Sequence, residues 1–219
     1  MKVLFLGYWG ANEGISQATI NPHLNILAEN PEVTEIIYVS IERKAQNDFK
    51  IPSHSKIRHI PYSPIRGARI FQKLSDFIRL PYKIFQLVRE SQISLIIARS
   101  SMAGSMAYLS SLFSRVPFYV ESFEPHATYM VESGVWSKKS PDYALQCFLE
   151  KRQLKTGEGI FPVAEGYSRL LRKSYPSQWI STMACAVDIE QFQFRKKSRI
   201  EIREKFRIKA EATVGIYVG

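Results

Sequence analysis

Short apolar runs alternate with segments of helical periodicity along most of this chain. The apolar runs predict β-strands at 2–7, 35–41, 57–61, 93–98, 116–120, 159–164, 180–183 and 214–218. Between them, apolar residues recur at helical spacing over 15–27, 65–92, 104–113, 142–155, 167–173 and 201–206. Because parallel strands need long crossover connections, this alternation predicts an α/β fold with a doubly wound, Rossmann-like parallel sheet.

The longest helical pattern, at 65–92, has an apolar stripe and a strongly basic polar face. Its basic residues are Arg66, Arg69, Lys73, Arg79, Lys83 and Arg89. Pro81 lies inside the pattern and is expected to kink or split the helix. Two interpretations remain open, because segment 66–89 has the pattern both of a helix on an anionic membrane and of a solvated helix packed on a sheet.

The charge pattern changes near residue 190, which indicates a boundary. After Asp188 the chain carries Arg195, Lys196, Lys197 and Arg199, and a short helical pattern and the apolar run at 214–218 follow. We therefore predict one domain at 1–190, then a linker and the first strand of a truncated second domain at 191–219. A terminal strand without a following helix cannot complete a parallel layer, so we expect it to be disordered or to pair with another molecule.

Composition excludes several classes of protein. With 45% hydrophobic and 23% charged residues, the 219-residue chain has the balance of a globular protein. Its apolar runs are too short for a membrane span or a secretory signal, so we expect a cytoplasmic protein. Cys147 and Cys185 lie far apart without metal-ligand spacing; we predict two buried thiols and no metal site.

The net charge of +10 favours an anionic partner. Nucleic acid, a membrane surface and a phosphorylated substrate all satisfy that condition. The basic residues are spread along the chain rather than interleaved with stacking aromatics, and the sequence has no recognised nucleic-acid-binding motif. We therefore expect no nucleic-acid partner.

The stretch VPFYVESFEPH at 116–126 contains the strongest candidates for acid–base chemistry. Glu121, Glu124 and His126 follow the apolar run that predicts a strand. In a parallel sheet, ligands bind outside the carboxyl ends of the strands, so these residues are placed to meet a substrate. A histidine with a purely structural role is the alternative for His126.

A second group of candidates lies at the turns after two other predicted strands. Gly7, Gly10 and Gly14 separate the first strand from its helix, where exposed amides suit a phosphate, although glycines are equally the default of a tight turn. Their spacing is not GxGxxG, which disfavours a dinucleotide site, and Glu42 is predicted to be a solvated carboxylate. Arg99 and Ser100 are placed to contact an anion or to cap a helix.

The last third of the chain resembles the interdomain region of GT-B glycosyltransferases of the retaining family 4. The resemblance rests on FPVAEGYS at 161–168 with the leucines at 170–171, ACAVD at 184–188 with Phe192, the basic helix around 199–206, and VGIYVG at 214–219. Ala186 stands where that family usually has glycine. The resemblance implies that the chain is the N-terminal, acceptor-side domain of an enzyme that transfers a sugar with retention to a glycan or lipid-linked acceptor.

The resemblance also implies roles for the candidate residues. The glycine loop would face the diphosphate of a nucleotide-sugar, which is a substrate, so no cofactor is expected. His126 would stand beside the reacting sugar, with Glu121 and Glu124 as competitors for that role. The family's donor-binding residues belong to a second domain, so we expect this chain to be inactive alone. A non-catalytic module that binds a nucleotide or phosphate remains the alternative.

Overall fold

The computed structural model describes residues 1–45, 48–65, 69–185 and 193–216, without the side chains of 69–75. The chain divides into two units, Met1–Ala186 and Val187–Gly219. In the second unit, helix α7 spans Lys196–Lys205, and the guanidinium of Arg203 donates hydrogen bonds to the carbonyls of Ala210 and Ala212 at 3.1 and 2.7 Å. The rest of the fold belongs to the first unit.

A six-stranded, fully parallel sheet forms the centre of the first unit, as the sequence predicts. Its spatial order is β3-β2-β1-β4-β5-β6. The strands are β1 (Lys2–Gly7), β2 (Glu35–Ile41), β3 (Ile57–Tyr62), β4 (Leu95–Arg99), β5 (Phe118–Ser122) and β6 (Gly159–Pro162). Successive strands step away from β1 in one direction up to β3 and in the other from β4 onward, so the order reverses between β1 and β4. That reversal makes the β1/β4 edge the topological switch point.

Helices cover both faces of the sheet, because the strands carry apolar side chains on both faces. They are α1 (Asn21–Glu29, after a π-helical turn at Ser16–Ile20), α2 (Arg69–Ser91), α3 (Ser101–Ser114), α4 (His126–Glu132), α5 (Pro141–Thr156) and α6 (Glu165–Ser174). One core packs Leu24 of α1 against Phe5 of β1. The other packs Leu4 of β1 against side chains of α2, α3 and α5, including Ile84 and Met106.

Helix α2 continues through Pro81, although a kink or split is expected from the sequence. A proline inside a helix removes one hydrogen bond and costs roughly 3 kcal/mol. Leu80 and Ile84 are fully buried on either side of Pro81, and Ser110 of α3 donates a hydrogen bond to the Pro81 carbonyl at 3.0 Å. Packing against α3 therefore holds the helix together.

Several predicted elements have other bounds in the structure, and two predicted strands are not strands. Strand β5 begins two residues later than predicted and includes Glu121 and Ser122. At 180–183 there is a single parallel bridge between Ile160 and Ile180 instead of a strand. Residues 214–216 are not in a strand, and 217–219 lie outside the described residues.

The cysteines are also more accessible than predicted. Cys147 is half-buried and Cys185 is exposed. Cys147 lies on α5, and Cys185 lies after the Ile180 bridge, in a segment that is neither strand nor helix. Neither side chain faces the two apolar cores described above.

Gly7, Arg99 and Glu121 lie in one row across the carboxyl ends of β1, β4 and β5. Arg99 is 2% exposed, and its guanidinium donates a hydrogen bond to the carboxylate of Glu121, which is 6% exposed. His23 Nδ1 of α1 lies 3.3 Å from the other oxygen of Glu121. Burial alone would raise the pKa of Glu121, but His23 and Arg99 outweigh it and the pKa lies below its ordinary value.

The close approach of α3 to β5 depends on a glycine. A Cβ at Gly104 would lie 2.9 Å from Val120 Cγ1 and would overlap the buried amide of Gln153. Gly104→Ala should therefore lower the free energy of unfolding by about 1–3 kcal/mol, measured by urea titration. Gly166→Ala in α6 is the matched control, because a Cβ there meets nothing within 4 Å. A Gly104→Ala protein as stable as the control would contradict this packing.

The Arg99–Glu121 pair makes stability depend on pH. Glu121→Gln leaves the Arg99 charge buried without its partner and should cost about 3–5 kcal/mol of unfolding free energy at pH 7. Because the folded-state pKa of Glu121 is depressed, its contribution is present above the ordinary value of 4.5 and is lost as the pH falls through the lower folded value. The difference between wild type and variant should therefore shrink during acid titration.

The control for this titration is Glu165→Gln, which removes the carboxylate of an exposed pair with Arg172. Water screens that pair, so the control should lose much less stability than Glu121→Gln. Equal losses in the two variants, or a deficit in Glu121→Gln that does not change with pH, would argue against a structural ion pair at the switch point.

Candidate functional site

A cavity of about 450 Å³ opens at the carboxyl edge of the sheet. Tyr8 and Arg43, which follow β1 and β2, form one side of it. Helices α2, α3, α4 and α5 supply most of the rest, because each of them begins or ends at this edge of a parallel sheet. Most of the wall is apolar, with contributions from Phe77, Leu80, Met102, Met106, Met130 and Leu145.

His126 lies in the wall of this pocket, at the first residue of α4. Its Nδ1 is 3.6 Å from the Oε1 of Glu124. The edge of its ring faces Trp136, with 5.7 Å between the ring centroids and an interplanar angle of 89°. The imidazole is half-buried between a carboxylate and an indole, and it can reach a ligand in the pocket.

A buried carboxylate on α5 fixes the start of α4. Glu150 Oε1 accepts hydrogen bonds from the backbone N–H of Ala127 at 3.0 Å and from Gln146 Nε2 at 3.1 Å. The first amides of a helix have no partner within the helix, so this contact satisfies one of them. Burial raises the pKa of Glu150 despite these hydrogen bonds. Through Ala127, Glu150 holds the turn that carries His126.

Glu42 is buried under the glycine loop, whereas the sequence predicts a solvated carboxylate. It accepts hydrogen bonds from the backbone N–H of Ala11 at 2.8 Å and from the hydroxyl of Ser40. A Cβ at Gly10 would lie 2.7 Å from Glu42 Oε2, so the close approach of this carboxylate requires glycine. Glu42 is buried because it follows the interior strand β2 and the loop after β1 closes over it.

The glycine loop already uses part of its hydrogen-bonding capacity. The N–H of Gly10 donates to Glu13 Oε1 at 3.0 Å. Gly7 ends β1, where a Cβ would lie 2.8 Å from Ile20 Cδ1, so packing explains that glycine. Gly14 is exposed, and a Cβ there would meet nothing within 4 Å. An anion at this loop would meet the carboxylate of Glu13, which is exposed and able to move aside.

Arg99 and Ser100 form the turn between β4 and α3. The guanidinium of Arg99 lies 4.7 Å from the ring centroid of Phe123 and pairs with Glu121, on a wall separate from the pocket around His126. Ser100 Oγ accepts a hydrogen bond from the N–H of Ala103 at 3.2 Å, which caps α3. The sequence leaves open whether Ser100 contacts an anion or caps a helix, and in the structure it caps α3.

The structure therefore divides the predicted residues into separate groups. His126 and Glu124 lie together beside the pocket, Arg99 and Glu121 form the buried pair, and Gly10 contacts Glu42. Sequence reasoning missed Glu42, Gln146 and Glu150 as buried polar groups. Residues 146 and 150 are four apart on a helix and share one face, and this spacing was the only sign in the sequence that they act together. A polar pair of this kind normally predicts a solvated face, so their burial could not be predicted.

Two further observations concern the described part of the chain. Its His, Cys, Asp and Glu side chains form no group of three or more with the arrangement of metal ligands. None of its helices combines the length and apolar character needed to span a membrane.

No protein-family model and no curated protein sequence matches this chain. Solved structures do resemble it. Sucrose-phosphate synthase from Thermosynechococcus elongatus has a TM-score of 0.68 at 12% identity, over 96% of this chain and 53% of that one. HepE of Anabaena in complex with UDP-glucose has a TM-score of 0.59 at 13% identity, over 94% and 50%.

A third similar structure is the lipopolysaccharide outer core galactosyltransferase WaaB in its apo form. Its TM-score is 0.54 at 14% identity, over 86% of this chain and 47% of that one. This chain thus spans about half the length of the three enzymes. The six-stranded parallel sheet with its flanking helices has the Rossmann-like fold of one half of a GT-B glycosyltransferase.

Proposed function

We propose that this chain is the N-terminal, acceptor-side domain of a glycosyltransferase related to the retaining family 4. The enzyme would move a sugar from a nucleotide-sugar to a hydroxyl group of its acceptor. The fold similarity to glycosyltransferases, one of them in complex with UDP-glucose, supports the reaction class. Under this proposal, the other half of the active site belongs to a second domain.

The observation that carries the proposal is the position of His126. The imidazole lies at the carboxyl edge of a parallel sheet, in the wall of a cavity large enough for a small-molecule group. Glu124 and Trp136 hold its ring from two sides, and Glu150 holds the backbone that follows it. A polar group fixed in this way can donate a hydrogen bond to a reacting sugar without reorganising.

The remaining chemistry would be electrostatic. Transfer with retention builds positive charge on the sugar and negative charge on the departing diphosphate, so hydrogen-bond donors and helix N-termini are the useful groups. In our proposal, Glu13 swings away from Gly10 when the diphosphate arrives and leaves that amide to the phosphate. Glu121 would stay with Arg99, because both charges are buried and a lone buried charge is costly.

We also propose that the protein contacts anionic membrane through α2 and α3. Ile78, Tyr82, Leu112 and Phe113 are each more than half exposed, and we call these four residues the exposed apolar patch. The ring centroids of Phe85 and Phe113 lie 6.4 Å apart, so side chains of the two helices meet there. Contiguous exposed apolar surface of this kind marks an interaction site.

Basic side chains accompany the patch and identify the kind of partner. Arg79, Lys83 and Arg89 on α2 and Arg115 after α3 are all exposed. Apolar residues inserted at the acyl boundary, together with Lys and Arg at the headgroups, are the combination that binds anionic bilayers. This placement would put the enzyme on the cytoplasmic face of a membrane. The residues at 66–68 and the side chains at 69–75 lie outside the described part of the structure.

His126→Ala should reduce the turnover of the complete gene product by about 10²–10⁴-fold, because the variant loses a positioned hydrogen-bonding group. The melting temperature should stay nearly constant, since the side chain is half-buried in a pocket wall. His54→Ala is the control, because His54 lies before β3 at the opposite edge of the sheet. Unfolding of the His126 variant, or full activity, would refute the assigned role.

The 219-residue chain alone should give neither transfer nor donor hydrolysis when incubated with labelled UDP-sugars. Transfer requires a donor held across a closed cleft, and loop amides in open solvent cannot replace the second wall. Calorimetry with UDP checks the alternative function. Tight UDP binding by this chain without transfer in any longer form would favour the non-catalytic nucleotide-binding module.

The membrane proposal predicts that vesicle binding depends on both charge and apolar contact. Phe113→Ser should weaken co-sedimentation with anionic vesicles roughly tenfold, because one buried aromatic ring contributes more than 1.4 kcal/mol. Lys83→Glu should weaken it most at low salt, and the difference from wild type should shrink as salt screens the charges. Phe148→Ser is the control, since Phe148 is an exposed aromatic on α5 outside the patch. Equal binding to neutral and anionic vesicles would contradict the membrane proposal and favour the interpretation of α2 as a solvated helix packed on the sheet.

A further inference from the structure

We infer that the pocket beside His126 accepts an uncharged, largely apolar molecule that carries a hydroxyl group, rather than a glycan. The inference rests on the proposed function, since it names the class of acceptor for the same site. A phenol and a lipid alcohol share the required chemistry, which is an apolar body with one hydroxyl.

The lining favours an apolar ligand. Met102 and Met106 of α3 and Met130 of α4 contribute three thioether side chains, and Phe77 and Leu80 of α2 add an aromatic and an aliphatic group. Methionine side chains are flexible and polarisable, so they fit apolar molecules of irregular shape. The volume of about 450 Å³ lies within the range of sites for small organic molecules.

The same lining disfavours a sugar. A buried hydroxyl without a hydrogen-bond partner costs about 1–3 kcal/mol, and each sugar ring brings several. Among the polar groups on the wall, Asp76 already accepts a hydrogen bond from the hydroxyl of Tyr62 at 2.7 Å. The Tyr8 backbone carbonyl accepts one from Arg43 at 3.2 Å. Because most of the wall is apolar, some of a glycan's hydroxyls would face thioether and hydrocarbon groups.

The charges on the wall disfavour an ionised head group in the pocket. Among the described residues, Asp76 and Asp142 place two carboxylates on the wall, and Arg43 and His126 contribute a guanidinium and an imidazole. A phosphate inside the cavity would be desolvated beside these two carboxylates, which repel it. The part of the acceptor inside the pocket is therefore neutral.

Gln146 can recognise the hydroxyl group of the ligand. The side chain is 2% exposed and lies in the pocket wall. Its Nε2 donates to Glu150, which fixes the orientation of the amide, because a flipped amide would point oxygen at oxygen. Its Oε1 has no hydrogen-bond partner among the described residues. A ligand hydroxyl that reaches this oxygen after a small rotation of the side chain would satisfy it.

The test measures binding of three probes to the 219-residue chain by calorimetry. The first is 2-naphthol, the second is 2-methylnaphthalene, in which a methyl group replaces the hydroxyl, and the third is cellobiose. We expect 2-naphthol to bind about tenfold more tightly than 2-methylnaphthalene, the effect of one satisfied buried acceptor. Cellobiose should not compete with 2-naphthol for the pocket. Preferential binding of cellobiose, or no binding of 2-naphthol, would overturn the inference.

Two variants and one control locate the site. Gln146→Leu should remove the preference for 2-naphthol over 2-methylnaphthalene while both still bind. Val135→Trp, at an exposed position of the pocket rim, should block both probes. Phe148→Ala lies on the same helix as Gln146 but outside the lining and should change nothing. Unchanged binding of both probes in Val135→Trp would place them elsewhere and overturn the inference.

The outcomes separate this inference from the proposed function. Probe binding that follows the variants as described, in a gene product that transfers no sugar, would support the pocket and refute the transferase. Transfer to glycans by a gene product whose pocket ignores 2-naphthol would support the transferase and refute the acceptor class. If Gln146→Leu fails to fold, the Val135→Trp result decides alone.

Discussion

The parallel direction of all six strands is the constraint on which this molecule depends. Parallel strands all end at one edge, so the segments after β1, β2, β4 and β5 meet there although they are far apart in sequence. The same rule brings the N-terminus of α4 to that edge and, with it, His126. An antiparallel neighbour would have sent half of these segments to the opposite end of the sheet. The pocket is therefore a product of topology before it is a product of particular side chains.

Buried carboxylates then fix the segments that topology brings together. Glu42 holds the N–H of Ala11, Glu121 pairs with Arg99, and Glu150 holds the N–H of Ala127. A buried carboxylate is costly unless its oxygens are satisfied, so each of these contacts persists only in one arrangement of its loop. The result is an edge whose polar groups are held in place by the fold itself.

The sequence predicts the strands and helices well and the site only in part, for a physical reason. A strand buried on both faces is a local apolar run, and it is visible without knowledge of its neighbours. The burial of Glu42 depends on a loop that closes from β1, and the burial of Glu121 depends on Arg99, 22 positions earlier. Such pairs are set by contacts between distant segments. His126 and Glu124 could be singled out locally, because they follow their strand so closely.

The backbone of Ser100, between β4 and α3, is strained. Its φ of 97° is a conformation that residues with a side chain rarely adopt, and holding it costs roughly 1–3 kcal/mol. The N–H of Ser100 is tied to the carbonyl of Glu121 at 2.8 Å, and its hydroxyl is tied to α3. Helix α3 carries Met102 and Met106 into the pocket, so the strained turn joins β5 to the pocket wall. Any movement that parts β4 from β5 would break the hydrogen bond from the N–H of Ser100 to Glu121, so the position of Met102 and Met106 depends on the contact between these two strands.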